Sequence, residues 1–140
     1  MIQRIQSLYL LIVTVLFAVL MFTKFVVIND IEYGVTDSVY MIIITAVIGL
    51  LSLGTIFCFN NRTLQVRVSI FNMLLMLGWY AMAAFVGYKM VGSAVEGNIV
   101  EFPAAAVVVT FPIVSMILTY LAIRGILKDD ALVKSYDRLR

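Results

Sequence analysis

Apolar residues along this chain gather into four long runs, roughly Leu8–Thr23, Val39–Phe59, Val68–Tyr88 and Pro103–Leu127, with the polar positions collected between them. A helix needs about 20 apolar residues to cross a hydrocarbon core roughly 30 Å thick, and each run reaches that length or falls just short. The first becomes long enough once Ile5 and Phe25–Ile28 flank it. Charge is kept out of the runs except for Arg124 near the end of the fourth, while Asp30, Glu32, Asp37, Glu96 and Glu101 all fall in the gaps. That exclusion is what the cost of an ion at mid-bilayer demands, about 2.5 kcal/mol or more per residue on insertion scales. The pattern predicts an all-α membrane protein. It is expected to be one four-helix bundle with spans at about residues 5–26, 39–59, 67–89 and 103–127 and a short tail, 128–140.

Basic residues set the expected orientation. Arg4, Arg62, Arg67, Arg124, Lys128, Lys134, Arg138 and Arg140 fall on one side of the four spans, and Lys24 and Lys89 on the other. Such asymmetry over short loops places the basic side in the cytoplasm. Both termini are therefore expected in the cytoplasm, with the segments near 24–38 and 89–102 facing outward, which in a Gram-negative cell is the periplasm. The basic residue Arg4 ahead of an apolar stretch is also how a signal peptide begins. However, Lys24-Phe25-Val26-Val27 follows the run where a small-residue cleavage site would stand, so the segment is expected to stay.

The outward segments contain short β-prone stretches. Phe25-Val26-Val27-Ile28, then Asn29-Asp30, then Ile31-Glu32-Tyr33-Gly34 reads as two strands about a two-residue turn. Glu96-Gly97-Asn98 followed by Ile99-Val100-Glu101-Phe102 offers a partner, and a small β-sheet joining both periplasmic loops is expected. Two irregular loops are the alternative.

Helices in lipid gain little from burying apolar groups against one another, so small and weakly polar residues at helical spacing mark their contact faces. The stripes are Ser7, Leu11, Thr14 and Ala18; Thr45, Gly49 and Ser52; Ser69, Asn72, Met76, Tyr80, Ala83 and Gly87; and Val108, Pro112, Ser115, Thr119 and Ala122. Ordinary packing accounts for them, and a lining for a narrow substrate path is the other reading. Asn72, Tyr80 and Pro112 are the candidate helix-interface residues. Asn72 is the one amide well inside a span and is suited to an interhelical hydrogen bond. Trp79 and Tyr80 lie mid-span, away from the interfacial belts where Tyr9, Tyr40 and Tyr88 fall, so at least one is expected to face protein and find a polar partner. Pro112 removes one backbone hydrogen bond from the fourth helix and is expected to bend it. Cys58 has no basic neighbour nearer than Arg62 and reads as an inert thiol. In the tail, Asp129 or Asp130 is placed to cap a new helical turn with Leu132, Val133, Tyr136 and Leu139 on one face, suited to anionic headgroups or to a partner.

Composition narrows the chemistry. Of 140 residues, 64% are hydrophobic and 13% charged, and a net charge of +2 gives no nucleic acid a reason to bind. One cysteine excludes an internal disulfide, and the absence of histidine removes the commonest metal ligand and general base. No paired carboxylates or nucleophile–base sets occur in the spans, so the chain is expected to be no enzyme and to need no cofactor or metal.

The opening Met1-Ile2-Gln3-Arg4-Ile5-Gln6-Ser7-Leu8-Tyr9-Leu10 and the close, Leu121-Ala122-Ile123-Arg124-Gly125-Ile126 through Tyr136-Asp137-Arg138-Leu139-Arg140, resemble domain-of-unknown-function family 4293 over the full length. Asp130 stands where the family has glutamate. The resemblance implies a short four-span membrane protein of Bacteroidetes-type bacteria and supplies no mechanism. It directs attention to the two chain ends, where Arg4, Gln6, Asp137, Arg138 and Arg140 form a candidate cytoplasmic partner patch. The expected partners are the lipid bilayer and other membrane-protein subunits. The expected function is a non-catalytic accessory or structural subunit of a larger inner-membrane complex, and a small oligomeric transporter or channel is the alternative.

Overall fold

The computed structural model describes residues 3–58, 61–92 and 100–137. Its elements run α1 (Gln3–Met21), β1 (Lys24–Ile28), β2 (Ile31–Gly34), a single 3-10 turn (Val35–Asp37), α2 (Val39–Phe57), α3 (Arg62–Gly92), β3 (Val100–Glu101) and α4 (Ala105–Asp137). Three stretches, Val39–Phe57, Arg62–Lys89 and Ala105–Val133, are helical, long and apolar enough to cross a membrane, and Ile5–Met21 is a shorter apolar helix. The helices pack in a ring, with α1 against α2 and α4, α2 against α3, and α3 against α4. The start of α1, the last turns of α4 and the start of α3 lie together at one end of the bundle, and the sheet lies at the other.

The first helix is shorter than the expected 5–26. It stops at Met21, where Phe22 and Thr23 turn the chain with N–H bonds of 3.1 Å to Val19 and Leu20 carbonyls and the Thr23 hydroxyl bonds back to the Val19 carbonyl. The β-branched Val26, Val27 and Ile28 that follow favour extended backbone, and two strand partners reward it. β1 is the central strand, in the order β2-β1-β3. Ile28 pairs with Ile31 across the two-residue Asn29-Asp30 loop, whose positive φ values of 50° and 65° are those of the hairpin turn that matches strand twist. Val27 and Ile28 pair with Glu101 and Val100, so the sheet does join both segments. Glu96-Gly97-Asn98 and Ile99 lie outside the described residues.

The tail does not start a new helix. α4 continues through Asp129 and Asp130 to Asp137, because nothing interrupts the i to i+4 ladder there and Asp129 is engaged elsewhere. Pro112 likewise sits inside α4 without ending it.

Two links fasten the sheet end. Lys24 Nζ lies 3.1 Å from Asp37 Oδ2, and the same carboxylate oxygen accepts the Gly34 N–H at 2.6 Å. Folding holds the Asp37 carboxyl below its usual range, first because the Gly34 N–H and then because Lys24 bonds its ionised form. A depressed carboxyl stabilises fully above its unfolded value near 3.9 and loses that contribution as pH falls through the lower folded value. Acid should therefore loosen the β2 hairpin, seen as faster amide exchange at Gly34, and Asp37→Asn should abolish that acid response. Gly34 is held so close that a Cβ there would lie 2.5 Å from the Thr23 carbonyl oxygen and 2.8 Å from Lys24 Cδ. Gly34→Ala should cost about 1–3 kcal/mol of stability, measured by denaturation in mixed micelles.

Candidate functional site: a polar seam inside the bundle

Large apolar side chains line the outside of this bundle, and its inside holds buried polar ones beside an apolar core. Leu8, Leu11, Leu50, Leu74, Ile117 and Tyr120 are exposed, whereas Ser52, Asn72, Ser115 and Thr119 are each 0% exposed. The interior is divided along its length. Towards the sheet it is apolar, with Phe17, Leu20, Val26, Met41, Ile48, Met76 and Trp79 in one buried cluster. Towards the start of α1 and the last turns of α4 it becomes mixed, with Gln6, Ser52, Thr55, Gln65, Ser69, Asn72, Ser115 and Thr119 all buried beside Leu10, Ala122, Ile123 and Ile126.

Helical periodicity creates the seam. Thr45 and Ser52 are seven residues apart on α2, and Asn72 and Trp79 are seven apart on α3. Seven residues make two helical turns, so each pair shares a face, and the antiparallel approach sets Asn72 opposite Ser52 and Trp79 opposite Thr45. Asn72 Nδ2 donates to Ser52 Oγ at 2.8 Å and reaches the Ile48 carbonyl at 3.4 Å. Trp79 Nε1 donates to Thr45 Oγ1 at 2.9 Å, and the Thr45 hydroxyl donates in turn to the Met41 carbonyl at 2.6 Å. Phe17 of α1 meets the Trp79 indole edge-on, ring centres 6.3 Å apart and planes at 85°. Tyr80, beside it, donates its hydroxyl to the Val109 carbonyl of α4. Val109 and Ile113 flank the Pro112 position, where the ladder lacks one N–H donor. Trp79 and Tyr80 together thus touch all three other helices.

Each candidate interface residue therefore lies at a helix contact: Asn72 is fully buried between α2 and α3, Tyr80 bridges α3 to α4, and Pro112 is buried beside the Tyr80 contact. Both mid-span aromatics find polar partners, where the sequence required only one. The stripe assigned to α1 is wrong. Its buried face is Gln6, Leu10, Val13, Phe17 and Leu20, and Leu11 and Ala18 point outward. Small residues let helices approach closely, but α1 faces an interior wide enough to need large side chains to fill it. The α2 stripe holds at Thr45 and Ser52 and the α4 stripe throughout, with Pro112, Ser115, Thr119 and Ala122 buried.

Of the residues assigned to the partner patch, Arg4, Asp137, Arg138 and Arg140 have side chains outside the described residues. Gln6 is described and buried. It packs over Gly125, and its Nε2 donates to Asp129 Oδ2 at 2.8 Å, tying the start of α1 to α4. Sequence reasoning missed Asp129 as that partner, although its separation from Gly125 by one helical turn is a usable signal. Two buried atoms of the seam, Asn72 Oδ1 and Ser69 Oγ, lack a partner among the described residues. They belong to residues one helical turn apart. Among the described residues no cluster of three metal-ligating side chains occurs.

The chain matches the model of a domain of unknown function, DUF4293, over residues 2–139. It belongs to this family. The match takes in nearly all of both chain ends, whose residues carried the resemblance, and the family description names no reaction or ligand. No curated protein and no solved structure matches the chain.

The Trp79–Thr45 bond should be measurable as a coupling. Trp79→Phe and Thr45→Val each remove one partner, and a double-mutant cycle in mixed micelles should return an interaction of about 1 kcal/mol, the size of interhelical hydrogen bonds in membrane bundles.

Proposed function

We propose that this chain is a four-span bundle of the bacterial inner membrane, with both termini cytoplasmic, that serves as a non-catalytic accessory or structural subunit of a larger membrane complex. The placement of leucines outside and serines, threonines and Asn72 inside supports embedding in lipid, since water would favour the reverse. Ile5–Met21 covers only about 25 Å at roughly 1.5 Å per residue. Its packing against two helices that are long enough supports its crossing with them, because a bilayer thins locally around a short span. The basic side of the sequence corresponds to the end holding the start of α1, the last turns of α4 and the start of α3, which supports the assigned orientation.

The observation that carries the functional reading is the buried cluster of Phe17, Ile48, Met76 and Trp79. It fills the interior between the mixed half and the sheet, so one copy offers no continuous polar route across its length. A transporter or channel built from this chain would have to run its path between copies. An accessory subunit requires no such path and no chemistry of its own.

Tagged protein purified from native membranes in a mild detergent should bring down a stoichiometric set of other membrane proteins, identified by mass spectrometry. Arg138→Ala with Arg140→Ala should reduce that set while leaving membrane insertion normal. Purification as a homo-oligomer or monomer, together with flux in liposomes that Tyr80→Phe alters, would replace this reading with the transporter.

A further inference from the structure

At the end of the bundle that holds the start of α1 and the last turns of α4, α3 and α4 enclose a notch of about 200 Å³ that the seam does not use. Arg62, Arg67 and Asp130 supply its charges, and Val66, Ile126 and Leu127 its apolar wall. Arg62 Nη1 is shut off from solvent and has no hydrogen-bond partner among the described residues. Among the described residues neither arginine has a carboxylate partner. A guanidinium nitrogen removed from water without an acceptor is expensive to keep, and an anionic oxygen is the group that best offsets the cost. Two guanidinium groups against one carboxylate leave the notch net positive. The apolar wall is unlike that of a site for a free, fully hydrated anion, since Ile126 is buried and Leu127 is 53% exposed at its edge. Where the apolar part of α4 gives way to Lys128, Asp129 and Asp130, the proposed embedding puts the notch at headgroup depth.

We infer that this notch binds the phosphate of an anionic phospholipid of the cytoplasmic leaflet. Arg62 and Arg67 hold the phosphate oxygens, the fork of each guanidinium suiting two of them at once, and Val66, Ile126 and Leu127 carry the first part of an acyl chain. Asp130 stands at the rim and sets a limit on charge, favouring a single phosphodiester over a multiply charged headgroup. The inference rests on the membrane reading above. Release of the protein from membranes by alkaline carbonate would overturn that reading, and the lipid measurement is made separately on purified protein.

The protein in detergent is titrated with phosphatidylglycerol or phosphatidylcholine, and bound lipid is counted by native mass spectrometry. Phosphatidylglycerol should bind at one preferred site and phosphatidylcholine should not. Each basic residue near a headgroup contributes about 1 kcal/mol, so Arg62→Gln with Arg67→Gln should weaken the site roughly 30-fold. Arg124→Gln with Lys128→Gln removes the same charge from the α1–α4 side of α4 and should leave the site unchanged. Should the double arginine variant fail to fold, the exposed Arg67→Gln alone should weaken binding about fivefold. Equal binding of the two lipids would show that headgroup charge does not select the ligand, and equal weakening by both double variants would reduce the site to diffuse surface charge; either would overturn the inference. Displacement of the lipid by inorganic phosphate would assign the notch to a soluble anion and overturn it too.

Discussion

The hydrogen bond from the Trp79 indole to Thr45 is the contact on which the rest of the bundle depends. An indole N–H placed mid-helix must find an acceptor, and the Thr45 hydroxyl, 2.9 Å away on α2, is the one supplied. Meeting that demand fixes the rotation of α3 against α2, and the seven-residue repeat then brings Asn72 to Ser52 two turns along. With the indole so oriented, its edge receives Phe17 of α1, and the neighbouring Tyr80 is directed at the α4 backbone. One side-chain orientation thus sets the positions of three neighbouring helices.

The division of the interior follows from the same arrangement. On the sheet side of Trp79 the faces of the helices carry large apolar groups that fill the space without needing partners. On the other side they also carry hydroxyls and amides, and the hydroxyls of Thr55, Ser115 and Thr119 are satisfied locally. The Ser115 and Thr119 hydroxyls bond to carbonyls one turn back on their own helix, at 2.8 Å each. Such residues add polarity to a contact face at little cost in specificity. The interhelical bonds are fewer and carry the register. At the far end Gln6 and Asp129 close the ring between the first and last helices, as the sheet does at the other.

Much of this was legible in the sequence. Long apolar runs free of charge give helices because backbone hydrogen bonds have to be satisfied within the segment. The Asn29-Asp30 turn was legible because few residues tolerate positive φ at two successive positions. Asn72 and Tyr80 could be picked out because a polar group in an apolar run has to be accounted for. The length of α1 was misread because Val26, Val27 and Ile28 are apolar enough to extend a span and β-branched enough to form a strand, and hydropathy alone does not separate the two. The contact face of α1 was misread for a related reason, since a small-residue stripe marks close approach only where the neighbouring helices leave no room for larger groups.

The chain by itself determined the number and approximate extent of the helices, the charge asymmetry between their two sides and the hairpin at Asn29-Asp30. These depend on local backbone chemistry and on the cost of placing charge in hydrocarbon, and both act residue by residue. Only the tertiary structure decided which face of α1 turns inward, that Trp79 pairs with Thr45 and Gln6 with Asp129, and that Arg62 and Arg67 share a notch with Asp130. Those outcomes join residues far apart in sequence, and no local preference specifies a partner. They are settled when four helices are fitted together and most of their buried polar groups find partners at once.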